Sequence, residues 1–474
     1  MARQQISSRD RNMIYLMLIG CFLGGINQTI LSPALPSIMQ DLHIDAADGQ
    51  WLTTIFLLIN GIMIPCSAYL MARFTTRQLY LLAMTIFGLG TLCAGLSHSF
   101  VLLLVARVLQ ALGFGILMPL LSATVLMVYP PSQRGKAMGM VGMVFSVAPA
   151  IGPSIAGFVV DNYGWNTVFL GLVPFIVLDI ILCAVVMPHI GETGHVPLDK
   201  TSVLLSTLGF GGLLYGFSSV GSYGWLSAHV YVPLILGAVI IYIFVKRQSK
   251  LEEPLLRFDC FQSHNFTAGL IIGMIINAAL LVGGILTPIY LQDVHGYSAL
   301  VSALVMMPAA LIAAAINPVV GSVFDRIGGR PVILFGLTML TIGSFLYATF
   351  TEESGLLYIA LVYTVRICGI NLVMMPVNTW SMAAFRGESV PHANAVFNTL
   401  RQIAGSVGTA IFVSIYMMVQ TMAAGGDAVT KADSLFGLRV SFAASAMFML
   451  FALILAFFTV KDGKKKIKTI SPAK

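Results

Sequence analysis

Four charged side chains stand inside otherwise apolar stretches of this chain: Arg107, Asp179, Arg366 and Arg401. Removing an ion from water is costly, so each is a functional candidate by default. An acid in apolar surroundings holds its proton more tightly, and a nearby cation loosens it. This set could therefore take up and release a proton. The amides Asn27, Asn277, Asn371, Asn378 and Asn398 also lie in apolar runs, with Gln110 three residues after Arg107 on the same helical face. They could hydrogen-bond a ligand or one another. Enzymatic chemistry has no comparable footing. The eight histidines (43, 98, 189, 195, 229, 264, 295 and 392) fall in loops or at the ends of apolar runs. The sequence shows no phosphate-cradling Gly-Lys-Ser/Thr loop and no nucleophile elbow. The six cysteines are scattered without metal-ligand spacing. The chain reads as a non-enzyme needing neither cofactor nor metal.

The elements that must hold these groups follow from composition. Of the 474 residues, 58% are hydrophobic and 9% charged, far below the roughly 25% charge of soluble domains. So little charge cannot solvate a globular surface, and the expected solvent is lipid. Runs of roughly 20 apolar residues cross a bilayer as helices. They occur at about 13–35, 51–71, 79–97, 100–128, 137–160, 166–187, 202–220, 229–245, 267–290, 299–323, 331–350, 356–382, 393–420 and 436–460. The prediction is an all-α integral membrane protein of fourteen spans. Basic residues keep loops in the cytoplasm. They crowd alternate loops (Arg9 and Arg11, Arg73 and Arg77, Arg134 and Lys136, Lys246 to Arg257, Arg326 and Arg330) and the C-terminal tail. Only Lys431 and Arg439 fall on the opposite side. Both termini are thus expected in the cytoplasm of a multi-pass cell-membrane protein. The net charge of +7 reports this orientation, and no nucleic-acid partner is implied.

Polar interruptions at 188–200 and 246–265 divide the chain into six spans, two and six. The two large blocks echo each other. AYLMARFTTRQ (68–78) and GSVFDRIGGRP (321–331) both follow a second span, with arginines four residues apart. LLVARVLQALGFGILMP (103–119) and LVYTVRICGINLVMMP (361–376) are fourth spans with an early arginine, then glycines, then Met-Pro. A duplicated six-helix unit flanking a midplane site is a transporter's architecture. The units are expected at 1–190 and 263–460, with an inserted helix pair at 191–262 and a basic tail at 461–474.

The fifth span, VGMVFSVAPAIGPSIAGFVVDNYG (141–164), carries its bulk on Val147, Ile151, Ile155 and Val159, while one broad face has only Gly, Ala, Ser and Pro. Small residues spaced by four let helices approach closely in lipid. Pro149 and Pro153 remove hydrogen bonds to the carbonyls of Phe145 and Pro149 and so bend the rod.

APAIGPSIAG (148–157) resembles the fifth-helix motif of the major facilitator superfamily's drug:proton antiporters. NQTILSPALP (27–36), RVLQALGFG (107–115), YGWNTVFL (163–170), GSVFDRIGGR (321–330) and NAVFNTLRQIAGSVGTA (394–410) resemble blocks of the fourteen-span branch, the EmrB/QacA type, in the same order. The resemblance covers essentially the whole length. It implies the major facilitator fold, with proton-coupled multidrug efflux of lipophilic or amphiphilic compounds by alternating access. The alternative on the same fold is a dedicated exporter of a lipid, siderophore-like or other metabolite. The implied partners are small amphiphilic substrates, protons and the bilayer, with the monomer as working unit.

In the resembled fold the first and fourth spans of each half line the cavity. Asn27, Arg107, Gln110, Met118, Asn277, Arg366, Asn371, Met375 and Asn378 are therefore expected on its wall. Arg107 matches the fourth-helix arginine that the family links to proton coupling. The gate and hinge are expected at Arg73, Arg77, Pro149, Gly152, Pro153, Gly157, Asp325, Arg326, Arg330, Asn398 and Arg401. The sequence departs from the family by Asn27, where many relatives carry an acid, and by Ala72, where an aspartate is usual. The gate's charge network is expected to centre on Asp325 with Arg326 and Arg330, helped by Arg73 and Arg77. Asp179 either carries the coupled proton or bonds the extra spans. Three embedded arginines against one acid suggest an electropositive interior and a preference for neutral, zwitterionic or anionic amphiphiles.

Overall fold

In a membrane every backbone polar group must be satisfied internally, and a helix does this within one segment. The computed structural model describes residues 7–461 apart from 45, 131–132, 189–198, 252–253, 255, 298, 387–388 and 426. The basic tail beyond 461 and most of the 188–200 loop lie outside the described residues. Fourteen long helices account for nearly all the rest, and no strand occurs among the described residues. They are α1 (Ser8–Leu42), α2 (Ala46–Arg73), α3 (Thr76–Gly95), α4 (Phe100–Val128), α5 (Arg134–Tyr163), α6 (Trp165–Val186), α7 (Lys200–Tyr223), α8 (Ala228–Gln248), α9 (His264–Ile289), α10 (Ala299–Ile327), α11 (Gly329–Tyr347), α12 (Leu356–Ser381), α13 (Ser389–Ala424) and α14 (Lys431–Thr459). Thirteen contain stretches long and apolar enough to cross a membrane. In α2 the apolar stretch is Trp51–Ile64. Several helices outrun their apolar runs, α13 reaching 36 residues. Polar residues extend the hydrogen-bonded ladder past the hydrocarbon, where water and caps take over.

Local chemistry sets the ends. Thr75 and Gln78 form a capping box on α3, and Thr430 and Asp433 another on α14. Asp199 caps α7 and also accepts two hydrogen bonds from Arg247 of α8 (2.8 and 3.1 Å). That fork, closely matched in geometry, holds the carboxyl of Asp199 down to about 2. Gly164 (φ 84°) and Gly224 (φ 74°) turn the chain from α5 to α6 and from α7 to α8, a conformation that side chains disfavour.

The packing repeats itself. In the first six helices α1 meets α4, α5 and α6, α2 meets α4, and α3 meets α4 and α6. In the last six, α9 meets α12, α13 and α14, α10 meets α12, and α11 meets α12 and α14. Two seams join the halves, α5 against α10 and its counterpart α2 against α13. The inserted α7 and α8 pack on each other, and α7 lies against α2 and α13. Phe158, Phe175 and Val185 are among the large apolar side chains left exposed on the outside, at 60–80%. Such exposure suits a lipid-facing surface.

A central cavity as the candidate functional site

Between the halves lies a cavity of about 740 Å³, walled by α1, α2, α5, α7, α9, α10, α12 and α13. This is within the roughly 300–1,000 Å³ range of small-molecule sites. Its polar lining is Gln28, Thr54, Ser146, Tyr215, Ser218, Tyr363, Asn371, Gln402, Ser406 and Thr409, and the remainder is apolar. No charged side chain is among the described lining residues.

The embedded arginines are elsewhere. Arg107 is 1% exposed. Its Nε donates to the carbonyl of Leu52 (3.0 Å), and its Nη1 donates to Asn27 Oδ1 (3.3 Å) and Gln110 Oε1 (3.0 Å). The guanidinium stacks 4.2 Å above the Phe56 ring, and Gln110 Nε2 reaches Thr91 Oγ1 at 3.4 Å. One cation thus ties α1, α2 and α4 together and, through Gln110, α3. Arg366 plays the matching part in the other half. It donates to the carbonyl of Ala279 and lies 5.4 Å over Tyr347. A Cβ added at Gly283 would overlap its guanidinium.

This corrects the expected cavity wall. Of the nine side chains placed there from the sequence, Asn371 lines the cavity. Asn27, Arg107, Gln110, Met118, Asn277, Arg366, Met375 and Asn378 do not. The described lining of the cavity is uncharged, and Arg107 and Arg366 sit inside their own bundles. The reason is angular. Successive helical residues turn by about 100°, so Gln28 faces the cavity while Asn27 faces Arg107, and Met374 faces it while Met375 packs on Gly142 of α5. Asn277 instead donates to the carbonyl of Arg401 (2.9 Å), joining α9 to α13. Asn378 is buried within α12's packing.

The wall also contains residues that sequence reasoning missed. Leu214, Tyr215, Phe217 and Ser218 of the inserted α7 belong to it, because α7 leans on the α2–α13 seam. Gln402, Ser406 and Thr409 line it from α13. Their spacing of four and three is a one-face polar signal that the sequence did contain.

Toward the cytoplasmic ends the halves are pinned together. Asn317 Nδ2 of α10 donates to Ser146 Oγ of α5 (3.0 Å) and Asn371 Oδ1 of α12 (3.1 Å), and Ser146 Oγ lies 2.9 Å from Asn371 Oδ1. Asn394 Nδ2 of α13 donates to the carbonyl of Pro119 in α4 (3.3 Å), with Asn398 Nδ2 donating to Asn394 Oδ1 (3.1 Å). At the membrane edge Asp325 accepts from the backbone amides of Gly135 and Lys136, 2.9 Å each.

The expected arginine network around Asp325 is therefore corrected. Its observed partners are the amides of the first turn of α5, the positive end of that helix's dipole. Arg73 donates to Tyr69 Oη (2.8 Å), and Arg77 donates to the carbonyl of Ala184. Arg330 donates to the carbonyl of Phe457 (3.3 Å) and stacks on that ring at 5.6 Å, while Arg326 is exposed at the end of α10. Both prolines lie in α5, Pro149 on the cavity wall. Gly152 abuts Thr29 of α1, whereas Gly157 has open space beside it. Arg401 is half-buried in α13.

Asp179 is 2% exposed and far from this wall. It faces α3, accepting a hydrogen bond from Tyr80 Oη at 2.7 Å. That contact replaces the expected bond to the extra spans.

The profile of the Major Facilitator Superfamily matches residues 17–409. The chain belongs to the Major Facilitator Superfamily. Within that superfamily it is 40% identical over 453 residues to the uncharacterised transporter YcnB of Bacillus subtilis, covering 96% of this chain and 95% of the relative. It is 37% identical to the lincomycin resistance protein LmrB of the same organism, over 85% and 84% of the two chains. Among solved structures, the human organic anion transporter MFSD10 (TETRAN) superposes with a TM-score of 0.66 at 14% identity, over 94% of this chain and 99% of that one. The last likeness concerns the fold alone. A superfamily chain with two matched helix bundles is a multi-pass membrane transporter rather than an enzyme.

Proposed function

We propose that the protein exports neutral amphiphiles, drugs among them, from the cytoplasm by proton-driven alternating access. The uncharged, hydroxyl- and amide-bearing cavity carries this reading. A substrate with a fixed charge would lose its hydration there and meet no counter-ion. A neutral amphiphile can satisfy its polar groups on Gln28, Asn371 and Gln402 and bury its apolar body against Phe145, Leu281 and Met374. The relative named for lincomycin resistance supports a drug as cargo.

In this reading residues 1–190 and 263–460 rock as two bodies about the α5–α10 and α2–α13 seams. The pair within 191–262 moves with α2 and α13. The state described here is pinned at its cytoplasmic end by Asp325, Asn317 and Asn394. Proton coupling falls to Asp179, with Arg107 holding the first bundle in register. Only a difference in proton affinity between the two conformers can drive the cycle.

The test is substrate accumulation in inverted membrane vesicles with an imposed pH gradient. Neutral amphiphiles should accumulate and ethidium should not. Asp179→Asn should abolish dependence on the gradient. Strong ethidium transport by the wild-type chain would overturn the assignment of substrate class.

A further inference from the structure

A second cavity, of about 480 Å³, opens along the outer face of α1, α5 and α6 and shares no lining residue with the central one. It runs beside α1 from Leu16 to Ile30, a length of about 21 Å at 1.5 Å per residue. Its walls are apolar except for Thr167 and Asp179. Asp179 stands near its cytoplasmic end, seven residues before the end of α6, or about 10 Å along the axis. The exposed side chains of Ile19, Leu178 and Leu182 flank it on the lipid side.

Asp179 is half-satisfied. Its Oδ2 accepts from Tyr80 Oη (2.7 Å), with Cys183 Sγ at 3.9 Å, while its buried Oδ1 has no hydrogen-bond partner. Tyr80 Oη also lies 3.2 Å from the carbonyl of Leu16. The titratable groups around the carboxyl are Tyr80, Cys21 and Cys183, and no cation is among its contacts. A buried carboxyl oxygen without a partner is costly. Its position on a slender apolar groove open to lipid identifies what would relieve that cost.

We propose that this groove binds a lipophilic primary or secondary amine from the inner leaflet, its nitrogen on Asp179 Oδ1 and its apolar chain along α1. The amine crosses hydrocarbon uncharged. Asp179 meets it as the carboxylic acid, with the proton on Oδ1, and hands that proton to the nitrogen lone pair. The product is an ammonium–carboxylate pair, with Tyr80 still donating to Oδ2. The O–H bond breaks, the N–H bond forms, and no proton enters or leaves. Desolvated charge-assisted pairs of this kind are the strong ones. The groove shares no lining residue with the central cavity. Asp179 is also the residue given the coupled proton above, so binding is read without a pH gradient and the failure of one reading is distinguishable from the failure of the other.

The test uses the full chain in detergent micelles, with dodecylamine as probe and native mass spectrometry as readout. One saturable dodecylamine per chain is expected. Asp179→Asn and Ile155→Trp should each weaken it at least about tenfold, the second by filling the groove without touching the acid. The infrared C=O band of the protonated Asp179 carboxyl should vanish on binding. Dodecanol should not compete. Competition by dodecanol equal to that of dodecylamine would mean that the groove holds only a hydrocarbon chain, and would overturn the proposal. So would wild-type affinity in Asp179→Asn. Should that variant fail to fold, Ile155→Trp and the dodecanol arm decide the outcome.

Discussion

The carboxylate of Asp325, near the cytoplasmic end of α10, sits 2.9 Å from the backbone amide of Gly135 in the first turn of α5. It bonds the amide of Lys136 at the same distance. Gln133, the residue that precedes α5, makes no side-chain cap. One half of the molecule thus supplies the N-cap for a helix of the other, and in the proposed cycle this bond breaks when the cytoplasmic end opens.

Removing that cap should favour the cytoplasm-open state. An N-cap contributes typically about 1 kcal/mol and at most about 2, so Asp325→Ala should shift the closed-to-open ratio roughly 5- to 30-fold. Thiol labelling of Met138→Cys, buried in α5 one turn beyond Gly135, reads the shift in a background lacking the native cysteines. Unchanged labelling would remove Asp325 from the gate.

The same seam needs glycine at one position and not at another. A Cβ at Gly321 would overlap the carbonyl of Gly135, while one at Gly157 meets nothing within 4 Å. Gly321→Ala should therefore part the helices and increase labelling of Met138→Cys. Gly157→Ala should leave labelling alone and raise stability by up to about 1 kcal/mol through helix propensity. Equal effects of the two on the melting temperature would contradict the packing described.

Arg107 is a clamp inside one bundle. Arg107→Ala leaves Asn27 Oδ1 and Gln110 Oε1 without their donor in a dry interior, at about 1–3 kcal/mol for each buried group left unsatisfied. The variant should melt markedly lower even without substrate or pH gradient. Arg107→Lys should recover only part of this, since a point charge cannot reach three acceptors in fork geometry. A wild-type melting curve for Arg107→Ala, with transport lost, would show that its task is coupling alone.

The cavity's lack of charge predicts how its selectivity can be changed. Gln28→Glu places an acid on the wall at nearly constant volume. It should confer measurable ethidium efflux and reduce export of neutral amphiphiles, while Gln28→Leu should impair the latter without the former. Fluorescence efflux assays in whole cells separate the three outcomes. Ethidium efflux in neither variant would place the charge filter elsewhere.

The contrast between Arg107 and Gln28 shows where sequence stops. Composition and run length fixed the environment and number of helices, because hydrocarbon admits little else. Loop arginines predict the orientation, and the echo of Arg107 by Arg366 points to the repeated packing of the two halves. The small face of α5 announced a close contact, and that face meets α10 and α1. Periodicity within one helix says which residues share a face, but not which neighbour that face will meet. In water the apolar face would point inward. In lipid both faces are apolar, so that guide is lost. Only the packing of twelve helices about two seams turned Arg107 and Arg366 into their own bundles. The same packing brought α7 to the cavity, gave Asp325 a helix end instead of arginines, and left Asp179 half-paired beside a groove.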